Sequence, residues 1–149
     1  MQLGSHALTL RALPEDTRYA QRELRQVRVN CILGADEQME VLEGRPFADA
    51  DAADELLVWA RPEMLTKLGA RPGEAFEFLN HNAVPADKVM RVRIAGTWQA
   101  TDPEGPFWYR NPHDLLKDEF VTTQDAFARF VAPFMPQQTD FSFWYYVMD

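Results

Sequence analysis

The stretch Leu56-Leu57-Val58-Trp59-Ala60-Arg61-Pro62-Glu63-Met64-Leu65-Thr66-Lys67-Leu68-Gly69-Ala70-Arg71-Pro72-Gly73-Glu74-Ala75-Phe76-Glu77-Phe78-Leu79 decides the fold class. Residues 56–60 form a continuous apolar run of strand length. Pro62 then stands where a first helical turn tolerates proline, because that N–H has no intrahelical acceptor. Met64, Leu65 and Leu68 fall on one helical face, and Gly69 is a natural C-terminal stop. Pro72-Gly73 is a turn signal, and residues 74–79 open another strand. Strand, short helix, turn and strand in 24 residues place the chain in the α+β class.

Working outward, the same reading makes the chain strand-rich. Leu8 and Leu10 alternate with Thr9 and Arg11. The run from Gln26 to Asn30 continues the pattern and puts Val27, Val29 and Cys31 on one core face. Met39 to Leu42 is a further extended piece, and residues 48–55 read as an acidic loop. Residues 89–98 alternate again, with Val92 and Ile94 facing one way and Arg91 and Arg93 the other. Residues 101–106 form a Pro/Gly loop, and Asn111-Pro112 a second turn. Thr122 followed by Asp125 resembles a capping box. It opens a helix with Phe127, Phe130, Val131 and Phe134 on one stripe, ended by Pro133 and Pro136. Residues 140–148 read as a last strand. The expectation is six to eight strands and two convincing helices.

The chain has 149 residues, 46% hydrophobic and 26% charged, enough for a core and without a disorder signature. Its formal charge of -8 makes it a poor binder of nucleic acid or anionic lipid. One cysteine, Cys31, excludes an intrachain disulfide and a cysteine metal cluster, and its apolar setting reads as a small buried hydrophobe. No apolar run approaches the roughly 20 residues of a membrane helix, and no signal peptide opens the chain. The chain as given reads as soluble, and Asp149 follows a strand-like run so directly that the end reads as cut.

Little in the sequence points to chemistry. His6, His81 and His113 are widely spaced and read as ordinary surface residues rather than metal ligands. Asp49, Asp51, Asp54 and Glu55 lack the calcium-loop spacing and read as a solvated face. No nucleophile elbow or phosphate-binding glycine loop is present. The reading therefore assigns no catalytic residue, no cofactor and no metal. Phe107-Trp108-Tyr109 follows a Pro/Gly loop, and with Trp98 these are the candidate contact residues for a partner or ligand. The competing reading is that they fold back and fill the core.

One ordered series carries more. Val41-Leu42-Glu43-Gly44-Arg45-Pro46-Phe47 is followed by Leu56-Leu57-Val58, Leu65-Thr66-Lys67-Leu68-Gly69, Arg71-Pro72-Gly73-Glu74 and Val92-Arg93-Ile94-Ala95-Gly96-Thr97-Trp98. In this order the pieces resemble the extracytoplasmic (MacB-like periplasmic core) domain of bacterial FtsX/MacB-type ABC transporter permeases. Residues 102–109 and 119–123 resemble segments of large FtsX-like permeases, so the resemblance spans roughly residues 27–149.

The resemblance implies a non-catalytic domain inserted between two membrane helices. It implies as partners the remainder of the permease, a separate ABC ATPase, and an external partner or cargo. It implies an extracytoplasmic location, no cofactor, and structural roles for Gly44, Gly69, Gly73 and Gly96. It also implies a single domain over residues 1–149, part of a larger permease. A mostly β lobe would cover residues 43–100, and an α/β portion residues 1–42 and 101–149. The alternative is a small-ligand-binding α+β domain, or less readily a hydrolase, with an aromatic pocket around Trp98, Phe107 and Trp108.

Overall fold

The computed structural model describes residues 3–19, 23–34, 37–80, 88–108 and 111–134. Seven strands appear in the order β1 (Leu3–Arg11), β2 (Glu23–Ile32), β3 (Met39–Gly44), β4 (Leu56–Ala60), β5 (Ala75–Asn80), β6 (Lys88–Ala100) and β7 (Phe120–Thr122). Helices α1 (Asp49–Ala52), α2 (Pro62–Leu68) and α3 (Pro112–Leu115) lie between them. After β7, α4 (Gln124–Ala126) runs through a wide π-turn (Phe127–Val131) into α5 (Ala132–Phe134). The fold is strand-rich α+β, as the sequence predicts.

The strands form one sheet in the order β3-β6-β4-β7-β2-β1-β5, and β5 also pairs with β6. That last pairing closes six strands into a barrel and leaves β3 alongside the far half of β6. Two of the pairings are parallel, β2 with β7 and β4 with β6. β6 is long enough to serve three neighbours. Its first half pairs with β5, its last residues with β3, and its centre with β4. A register shift at Val58/Trp59, which passes over Ala95, and another at Val41/Glu43 lie where it changes partners. Such bulges bend a strand and increase its twist, which a small barrel requires.

The alternation read from the sequence holds. Val27, Val29, Cys31, Val92 and Ile94 are buried, as are all five residues of β4. Leu8, Leu10, Phe76, Phe78 and Phe120 join them, with Phe78 and Phe120 edge-on at 6.0 Å. Gly69 ends α2 in the left-handed region (φ 69°), its N–H bonded back to the last turn. Of the predicted stripe of the final helix, Phe127, Val131 and Phe134 are buried and Phe130 is half-buried against the core. The π-turn ends at Val131, and the helix runs on through Pro133 to Phe134, so Pro133 does not end it as expected.

Several expectations need correction. The cap of the final helix is Thr123, whose hydroxyl accepts from the Ala126 N–H, and not Thr122, which lies in β7 with its hydroxyl donating to the Leu57 carbonyl. Residues 48–55 are not all loop, because α1 forms inside them and buries Ala50. Asn111-Pro112 is not only a turn: Asn111 caps α3 by accepting from the His113 N–H. The division into a β lobe at 43–100 and an α/β portion elsewhere does not describe the sheet. β7, from the later stretch, lies between β2 and β4 and hydrogen-bonds to both. The predicted strand at 140–148 and the ending at Pro136 lie outside the described residues. No helix among the described residues is long and apolar enough to cross a membrane.

Candidate functional site

A half-open cleft of about 320 Å³ lies at the carboxyl ends of the parallel pair β2 and β7. Ile32, Met39, Phe47 and Val121 supply its apolar lining, and Asp51, Thr123, Gln124 and Asp125 its polar lining. Local structure positions Thr123 and Asp51. The Thr123 hydroxyl caps α4, accepting from the Ala126 N–H at 3.2 Å, and donates to Asp51 Oδ1 at 2.7 Å. Arg129, stacked on Phe130, donates to the Asp51 and Ala53 carbonyls and so ties the final helix to α1. Phe47 packs on Trp59 at 4.8 Å, and Trp59 is held by its indole N–H donating to the Arg45 carbonyl. An apolar floor with a polar rim at the lower end of the small-ligand size range suits binding.

The predicted contact residues do not gather there. Trp98 is fully buried and Trp108 is 6% exposed, so neither presents a surface to a partner. Phe107 is half-buried, edge-on to Trp108 at 4.9 Å, and lies beside the cleft only through Gly34, on which a Cβ would sit 3.7 Å from its ring. Tyr109 lies outside the described residues. The core-filling alternative therefore describes Trp98 and Trp108. The cleft lies around Phe47, Met39 and Val121 and not around Trp98 and Trp108.

Trp98 belongs instead to a buried polar cluster that the sequence did not announce. Arg61, 8% exposed, donates to the Trp98 carbonyl, and its guanidinium carbon lies 5.5 Å from the Trp98 ring. Among the described residues, the indole N–H groups of Trp98 and Trp108 and the Arg61 Nε have no hydrogen-bond partner. The His113 ring centroid stands 6.0 Å from that of Trp98, and its Nε2 accepts the Ala100 N–H at 3.0 Å. His113 is thus not an ordinary surface histidine. Burial, then the Arg61 charge, push its pKa below the usual imidazole value. His81 and the side chain of His6 lie outside the described residues.

Several other charged groups pair with one another. An open hollow of about 450 Å³ at Leu13, Asp16, Arg18, Glu74, Arg91 and Arg93 is crossed by Arg18 bridging Asp16 (2.7 Å) and Glu74 (2.9 Å). Arg93 and Arg91 both reach Glu55. Asp49 pairs with Arg45 at 3.0 Å, so the acidic stretch is used structurally. Among the described residues no three His, Cys, Asp or Glu are placed to hold a metal ion. No family model, curated protein or solved structure matches the chain.

Proposed function

We propose that this chain is a non-catalytic extracytoplasmic domain of an FtsX/MacB-type ABC transporter permease, coupling ATP-driven motion to an external partner or cargo through protein contacts. One observation carries the reading. Four of the five motif pieces, spread over 58 residues of sequence (41–98), meet on β6 through hydrogen bonds. The Arg45 N–H donates to the Ala95 carbonyl at 3.0 Å, the Gly73 N–H to the Ile94 carbonyl at 2.7 Å, and the Ile94 N–H to the Glu74 carbonyl at 2.9 Å. Gly44 and Gly96 pair directly across β3 and β6. An ordered series of weak motifs gains weight when its members form one structural unit, because each then constrains the others. The test is made on the protein at its native locus with an affinity tag. An epitope in this domain should be reached by a membrane-impermeant reagent on intact cells, and an ABC ATPase should co-purify. A domain shielded from the reagent until the membrane is broken overturns the reading.

The cleft favours a second reading, small-ligand binding at Phe47, Met39 and Val121. A ligand that fills it should raise the melting temperature of the purified chain, and Met39→Trp, which fills the space, should abolish the shift. A ligand whose shift survives Met39→Trp binds elsewhere and sinks this reading.

A further inference from the structure

We propose that His113 is a proton-operated latch: neutral, it holds α3 and the segment 101–108 against the end of β6, and protonated, it releases them. The geometry is that of a one-way bond. A backbone N–H can only donate, so Nε2 of His113 accepts from Ala100 only while it carries no proton. Ala100 is the last residue of β6 and His113 stands in α3, so the bond closes the neck of the intervening segment. Thr101 is tied to the Gln38 carbonyl, and the next bonds, Gly105 to Asp102 and Trp108 to Gly105, stay within the segment. Among the described residues the Ala100–His113 bond is the hydrogen bond that joins α3 to β6.

Protonation works against the closed form twice. Ala100 is 4% exposed, so its N–H would be left buried facing a second donor. The new charge would also stand near Arg61, whose side chain is only 9% exposed and therefore weakly screened. Two carboxylates oppose this. Glu63 faces His113 from the start of α2, and Asp114 neighbours it in α3. The Glu63 side chain is 63% exposed, so water weakens its compensation. The closed form therefore favours the neutral ring. Phe107 and Trp108, edge-on to each other, lie in the segment so loosened. The latch itself does not rest on the transporter reading.

The test is amide and indole hydrogen exchange by NMR, corrected for intrinsic rates, at pH 7.5 and 5.0. In the native chain the protection of the Ala100 amide and the Trp108 indole should fall about tenfold or more in acid, following the cost of a buried donor losing its acceptor. His113→Gln keeps an acceptor that does not titrate and should hold protection at both pH values. His113→Ala should lose it at both. A native-chain loss that persists in His113→Gln overturns the proposal. If that variant does not fold, the imidazole titration of the native chain decides. A midpoint below 6.5, coincident with the Ala100 change, supports the latch. A midpoint at or above 6.5, or protection independent of pH, overturns it.

Discussion

Gly44 and Gly96 face each other across β3 and β6 with no room for a side chain on either. A Cβ on Gly96 would lie 2.2 Å from the Glu43 carbonyl oxygen, and one on Gly44 would lie 2.1 Å from that of Ala95. Gly44 also holds φ at 103°, a conformation L residues rarely adopt. The obstacles are backbone atoms of a closed sheet, which cannot rotate away. Gly96→Ala is therefore expected to cost about 3 kcal/mol or more, read by urea denaturation. Gly69→Ala, with no atom near its Cβ, should cost only about 1–2 kcal/mol for its left-handed backbone. Equal costs at the two positions would refute the steric account.

Arg61 serves the Trp98 carbonyl at the expense of burying a charge. Arg61→Ala strips the carbonyl of its donor and leaves a void, and about 2 kcal/mol of destabilisation is expected. Arg61→Met keeps the volume and removes the buried charge, so it should cost less than the alanine variant. Because the Arg61 cation depresses His113, both variants should move the His113 titration to higher pH, visible by NMR.

Glu119, half-buried before β7, has its carboxyl pushed above the usual range by burial, with the Asn30 side chain and Arg28 opposing. The folded form then holds its proton at pH values where the unfolded chain has lost it. Stability from this group falls as pH rises from 4.5 through the folded value. Glu119→Gln should accordingly raise the melting temperature at pH 7, and the gain should vanish near pH 4. A gain that is the same at both pH values would point away from ionisation.

Thr123 joins the final helix to the cleft, capping α4 and donating to Asp51. Thr123→Val should cost about 1 kcal/mol in thermal or urea denaturation, the usual worth of a cap. Thr123→Ser, which keeps both bonds, should cost much less.

Much of the fold is legible in local pattern. Alternation at 27–31 and 89–98, the apolar run 56–60, the helix from Pro62 to Gly69 and the stripe at Phe127, Val131 and Phe134 each describe which side of one segment avoids water. That is a property of neighbouring residues, so the chain alone carries it. The turn at Pro72-Gly73 and the stop at Gly69 are equally local, because φ > 0 is a demand on single residues.

The barrel, the cleft and the His113 bond are not local. Whether β7 pairs with β2 and β4, and whether β5 returns to β6, depends on residues as far as 91 positions apart in sequence (Val29 opposite Phe120, for example). Trp98 shows the difference most clearly. Its sequence setting, a large aromatic near a Pro/Gly loop, is compatible with a contact surface, but β3, Arg61 and α3 arrive from elsewhere in the chain and bury it. His113 carries no motif, and only the end of β6, brought beside α3 by folding, makes its lone pair matter. The sequence by itself determined the elements and their buried faces, because burial follows periodicity. Tertiary structure decided which faces meet, because pairing energy lies in contacts that no single segment contains.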